Sequence, residues 1–295
     1  MNKLKKQKDV NIKKQISIFN NLSLLLSKSF IKEPKSIIFM LIVPIFFNIM
    51  FFFIMGEKAA IGGNGNPNSI LFAYTLLPCL TCLTLLAPAV VEWKNSVFLK
   101  RIDITGIRKG MFIGALWFVY LIAGIISFIL MMIFNLIFSE IYSLALNKND
   151  PTFAKLLGGV HWGYLLLSMI LITLTSIALA TMFGGLFSSV GSMQGMIMMI
   201  YFFSIFLSGI MLPPETFESS KGMIIFTYFI PHKYSVFIFL YATRGWSDKG
   251  WDSGFNLHDG SKDFTATWQP VLGAILILIA IFTITTLTFK WTAKK

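Results

Sequence analysis

Two cysteines, three histidines and a few amides set in apolar runs are the residues of this chain whose types could do chemistry. Cys79 and Cys82, in PCLTCL, have the C-x-x-C spacing of a redox pair or of half a metal site. Either use needs a polar, accessible setting or a second pair of ligands. The neighbours are apolar and there is no second pair, so the two read as small packing residues on one helix face. His161, His232 and His258 stand far apart, each expected on an external or boundary segment, and make no metal-ligand or catalytic constellation. No G-x-x-x-x-G-K-S/T loop is present, so ATP hydrolysis by that route is excluded. The expectation is a chain that is not an enzyme and carries no metal and no cofactor. Asn48, Asn135 and Gln194 are uncharged polar residues at depth in apolar runs. Amides tie helices together in lipid. A substrate path through Asn48, Gln194 and the nearby Phe46 is the second reading.

The elements that must position these residues follow from composition. Of 295 residues, 56% are hydrophobic and 13% are charged, whereas a soluble domain carries about 25% charged residues. Long runs lack any Asp, Glu, Lys or Arg, as membrane-spanning helices do. The runs predict an all-α integral membrane protein with six transmembrane helices, over residues 36–55, 69–91, 111–138, 163–187, 192–212 and 270–289. None contains an acid, a base or a histidine. Proton- and ion-driven carriers usually need such groups at mid-membrane, so the energy source is expected to lie elsewhere.

Residues 1–35 form a lead-in with nine lysines against Asp9 and Glu33, too long and polar for a cleaved signal peptide. Ile12, Ile16, Phe19, Leu22, Leu26 and Phe30 recur at helical spacing, with Lys13, Ser17, Asn21 and Lys28 opposite. This predicts an amphipathic helix lying in the membrane interface against anionic lipid headgroups. Residues 36–292 are then the transmembrane domain.

Basic residues set the orientation. With the N-terminus inside, the inner side holds nine from the lead-in, five from residues 92–110 (Lys94, Lys100, Arg101, Arg108, Lys109) and three from the tail, 17 of 25. The outer side holds eight, balanced by nine acids. Both termini are therefore expected in the cytoplasm, and the net charge of +12 leaves no case for nucleic acid. Pro213 and Pro214 are expected to end the fifth span. Pro231, His232 and Lys233 split the following apolar stretch into pieces too short to cross. Residues 213–268 thus predict short re-entrant helices in the outer leaflet, then a polar loop that is either simply solvated or a lid over an exit path.

That leaves VEWKNSVFLKRIDITGIRKG, residues 91–110, a charged island between apolar runs. Phe98, Leu99 and Ile102 give a short apolar edge, and Lys94 and Arg101, seven apart, share another. Such a helix could wedge its apolar edge into a partner whose acidic surface its cations select; a loop that merely fixes topology is the alternative.

Three stretches together resemble the ABC-2 type permeases, the membrane subunits of bacterial ABC exporters. KEPKSIIFMLIVPIFFNIMFFFIMG, residues 32–56, is similar to the family's opening, a basic residue and proline before a first span with an internal proline. EWKNSVFLKRIDITGIRKGMFIGA, residues 92–115, is similar to its first cytoplasmic loop, although Ser96 and Val97 stand where a glycine is common. LSGIMLPPETF followed by FIPHKYS, residues 207–235, resembles its fifth-span exit and outer helices. The resemblance implies a second permease copy, two cytoplasmic ATP-binding cassette ATPase subunits, and a coupling helix within residues 92–110. Glu92, Lys94, Phe98, Leu99, Lys100, Arg101 and Ile102 are its expected ATPase contacts. The function so implied is export of an amphiphilic or hydrophobic substrate, a drug, peptide, lipid or lipid-linked glycan, across the bacterial plasma membrane. A carrier or lipid scramblase that needs no ATPase is the alternative.

Overall fold

The computed structural model describes residues 2–62, 68, 70–146, 152–212, 214–217, 220–243, 264 and 266–289. Every regular element among them is helical: α1 (Asn2–Lys32), α2 (Pro34–Ile37), a π-turn (Ile38–Ile42), α3 (Val43–Gly62), α4 (Ile70–Tyr74), α5 (Leu77–Asn95), α6 (Val97–Ile104), α7 (Lys109–Leu146), α8 (Phe153–Leu156), α9 (Trp162–Leu186), α10 (Val190–Leu207), α11 (Lys221–Thr227), α12 (Pro231–Thr243) and α13 (Trp268–Thr288). Short 3-10 turns follow α8 (Leu157–Gly159) and precede α11 (Pro214–Phe217).

Five helical segments are long and apolar enough to cross a membrane: Ile70–Asn95, Lys109–Ala145, Trp162–Leu186, Val190–Leu207 and Trp268–Thr288. A sixth apolar stretch, Ile38–Ile54, is shorter. Its π-turn has a local cause. Pro44 has no N–H and its ring would strike the carbonyl four residues back, so the ladder loosens ahead of it. The Val43 N–H accordingly reaches back five residues to the Ile38 carbonyl.

The buried centre is α9, which packs against α5 along most of its length and against α12 and α13 on other faces. Its contacts are close because glycines allow them. A Cβ on Gly184 would lie 2.8 Å from Val90 Cβ and 3.0 Å from the Ala87 carbonyl; one on Gly124 of α7 would lie 2.5 Å from Thr173 Cγ2. Gly273 of α13 likewise admits the Tyr234 ring of α12. Cys79 and Cys82 are free thiols, fully buried in this core, as their apolar setting indicated.

Helix α1 runs along α7, with Leu22 and Leu26 buried, Phe19 against Phe118 and Phe30 edge-on to Tyr120. Leu24, Leu25 and Ile31 on other sides stay exposed. Helix α10 stops at Leu207, five residues short of the expected end, because Gly209 takes a left-handed φ of 99°. The helix has already ended before the prolines. Pro213 lies outside the described residues, Pro214 is buried at the start of a 3-10 turn, and Pro231 opens α12, where a missing N–H costs nothing.

The α11–α12 hairpin turns two polar side chains into the bundle. His232 and Lys233 are both buried. The imidazole Nε2 lies 3.0 Å from Ser176 Oγ on α9, and Nδ1 lies 2.8 Å from Ser204 Oγ on α10. Ser176 gives its own proton to the Ile172 carbonyl, so the ring donates from Nε2 and accepts from Ser204 at Nδ1. Lys233 Nζ donates to Thr227 Oγ1 at 2.6 Å and sits 3.8 Å from the centre of the Tyr228 ring. Both polar groups are thus buried with partners.

Candidate functional site

The charged island begins in the last turn of α5. Ser96, in extended backbone, ends that helix by donating its N–H to the Glu92 carbonyl and starts α6 by accepting the Phe98 N–H on its hydroxyl at 3.1 Å. This is an ordinary serine N-cap, its hydroxyl filling one of the unpaired N–H groups at the start of α6. Helix α6 ends two turns later at Gly106, whose φ of 72° is left-handed.

Within α6 two stripes separate. Leu99 and Ile102, three apart on one face, are buried in this chain's own core, and Phe98 is half-buried with its ring 5.6 Å from Trp93. The expected apolar wedge is therefore turned inward and holds α6 to the bundle. The outward stripe is Val97, Lys100, Arg101 and Ile104, at i, i+3, i+4 and i+7. Ile104 is 85% exposed and Val97 59%. Glu92, one turn before the cap, is exposed as well. Two cations flanked by an apolar pair thus face outward, and the apolar residues are other than those the spacing of Phe98 and Ile102 suggested.

Lys94 does not share an edge with Arg101. Its side chain is 3% exposed, and its ammonium donates to the carbonyls of Gly184 at 3.1 Å, Gly185 at 2.6 Å and Phe187 at 2.8 Å. These are carbonyls at the C-terminal end of α9, where the helix dipole is negative and the ladder leaves acceptors unfilled. Next to it, Asn95 Nδ2 donates to the Ser188 carbonyl at 3.1 Å. At the other edge of the island, Lys109 Nζ reaches the Phe289 carbonyl at 3.3 Å, beyond the end of α13. Two of the island's five cations thus bind helix ends, leaving Lys100, Arg101 and Arg108 exposed among the rest.

The residues proposed for a substrate path part company. Asn48 is fully buried and donates from Nδ2 to Asn135 Oδ1, and Asn135 donates to the Leu71 carbonyl at 3.2 Å. The pair ties α3 and α7 to α4, which is the helix-contact reading. Phe46 is 62% exposed on the outside of α3, and Gln194 is exposed on α10. The structure does not bring these three together. Among the described residues no group of three His, Cys, Asp or Glu could hold a metal ion.

Gly106, Gly110 and Gly114, and Gly191 and Gly195, have the four-residue spacing that permits close helix approach, whereas the close contacts fall at Gly124, Gly184 and Gly273. Around Gly110, Gly191 and Gly195 an added Cβ would meet nothing within 4 Å. The spacing shows that a helix could be approached closely; it carries no sign of what approaches it.

Comparison with characterised proteins and with solved structures finds no match. A family model described as ABC-2 family transporter protein matches residues 63–289, which include the island, all five long spans and the α11–α12 hairpin. The chain belongs to the ABC-2 family of transporter proteins and is a multi-pass membrane subunit of an ABC transporter.

Proposed function

We propose that the chain is the permease of an ABC exporter, and that the outward stripe of α6, with Glu92, docks a cytoplasmic ATP-binding cassette ATPase. The observation that carries this is the exposed Val97, Lys100, Arg101 and Ile104 row on a helix whose opposite face is fixed in the core. A short helix anchored on one side can only offer its partner the other. An apolar groove with an acidic rim is the complementary surface.

On this reading six helices span, the first being the π-turn and α3 together, and the positive-inside bias puts both termini and residues 92–110 in the cytoplasm. Helix α1 lies in the inner interface among lipid headgroups, and α11 and α12 enter the outer leaflet without crossing. A second permease copy completes the transporter. The outward Phe46, Phe53, Phe202, Phe203 and Phe206 of α3 and α10 suit an amphiphilic or hydrophobic substrate moved outward. The second span contributes little to such a wall, being largely buried in its own bundle.

The test is affinity purification of the full chain from its native membrane. The wild type should bring down an ATPase, and Arg101→Glu with Lys100→Glu should weaken that association without lowering membrane insertion. Phe98→Ala should act through stability instead. An active transporter reconstituted from this chain alone would favour the ATPase-independent carrier and sink the proposal.

A further inference from the structure

We infer that Lys94 and Asn95 form a clamp that passes movement of α6 into the connection between α9 and α10, making Lys94 the positioning residue of the coupling. The inference rests on the ATPase-docking reading of α6 and adds where a push on that helix would go. Lys94 lies two residues before the α6 cap, yet its buried ammonium is held by three carbonyls at the end of α9, at 2.6 to 3.1 Å. Asn95 takes the next exposed acceptor along, the Ser188 carbonyl. Lys94 and Asn95 therefore grip residues 184–188, which lead at Ser189 into α10.

The covalent route from α6 to α10 runs through the whole of α7 and α9. The clamp shortens it to one side chain. Charged hydrogen bonds fix direction as well as distance, because three carbonyls at a helix end converge on one donor. Gly184 strengthens the grip, since its missing side chain lets α9 seat against Val90 and Ala87 just before Lys94. Helix α10 carries the exposed row Met199, Phe202 and Phe206. A partner moving α6 would thus tilt an aromatic face of the transporter directly.

The experiment uses the full chain with its ATPase in lipid nanodiscs, with spin labels replacing Leu24 on α1 and Phe202 on α10, both exposed. Distances are measured without nucleotide and with ATP plus vanadate, and bound ATPase is quantified in the same samples. The wild-type background and Lys94→Arg should show a nucleotide-driven shift, and Lys94→Met should lose it while retaining the ATPase. Lys109→Met, which removes the comparable contact at the end of α13, should keep the shift. A Lys94→Met protein with ATPase bound and the full shift overturns the clamp alone, as does a wild type that binds ATPase but shows no shift. Failure of the wild type to bind any ATPase overturns the docking reading, and the clamp's role falls with it. Should Lys94→Met not reach the membrane, Asn95→Ala decides: a reduced shift supports the clamp, an undiminished one refutes it.

Discussion

Gly124→Ala is expected to destabilise the bundle, and Thr173→Ser is expected to rescue it. A Cβ at Gly124 would lie 2.5 Å from Thr173 Cγ2, about 1 Å inside normal carbon contact. Thr173 cannot simply rotate, because its hydroxyl donates to the Met169 carbonyl at 2.8 Å and fixes the rotamer. Either α7 moves off α9 or that bond breaks. Overpacking of this kind costs about 1–3 kcal/mol, set against about 1 kcal/mol that alanine gains over glycine in a helix. The net loss should be about 0–2 kcal/mol. Thr173→Ser deletes the offending methyl and alone costs about 1 kcal/mol of buried apolar surface. In the double variant the clash is gone, so the two changes should couple favourably by the clash energy, about 1–3 kcal/mol. Unfolding of the purified chain in mixed micelles by titrated sodium dodecyl sulfate, followed by tryptophan fluorescence, measures all four corners of the cycle. Gly195→Ala, which meets open space, is the control and should be neutral or stabilising. A Gly124→Ala protein more stable than wild type, or strictly additive effects in the double variant, would refute the steric argument.

Three further outcomes are predicted. Asn135→Leu alone should cost about 1–2 kcal/mol by leaving the Asn48 amide buried without its acceptor, whereas Asn48→Leu with Asn135→Leu should cost less than the single change; the same unfolding assay decides it. Cys79 and Cys82, fully buried, should resist membrane-permeant maleimide in the folded protein and react on denaturation; rapid labelling of the native chain would contradict the packing. Lys233 is too deeply buried to report topology. Phe229→Cys, at a position 77% exposed in the turn before α12, should label from outside intact cells, and Ile104→Cys only after permeabilisation. The reverse pattern would invert the orientation.

The spans were legible because their signal is long-range and one-dimensional. Twenty apolar residues in a row can do little else, and observed and expected boundaries differ mostly by one to a few residues, as at Trp162–Leu186 against residues 163–187. Helix α7, at 38 residues, runs well past the expected 111–138 because Ser139, Glu140 and Ser143 interrupt apolarity without interrupting the helix. The island's place was legible from charge, but the direction of its side chains was not. Lys94 and Lys100 look alike in sequence, and what separates them is the end of α9, about ninety residues away, which buries one and leaves the other in solvent. For the same reason the spacing of Phe98 and Ile102 gave an apolar edge without saying whether it faced a partner or the chain itself. The partners of His232 were not legible because the serines that satisfy it belong to two other helices. Periodicity reports the face of a helix; only the packing identifies what that face meets.

The His232 bridge also sets an order on biogenesis. Its two hydroxyl partners, Ser176 and Ser204, lie upstream of it, so both α9 and α10 have been synthesised before the imidazole is added. The α11–α12 hairpin can be received by a site already built. Helix α13, whose Gly273 closes over the Tyr234 ring, emerges after the hairpin and covers one side of α12. Truncation before residue 268 would leave a nascent chain with its polar bridge formed but one wall missing, a state in which quality-control proteases or an insertion chaperone would meet α12 uncovered.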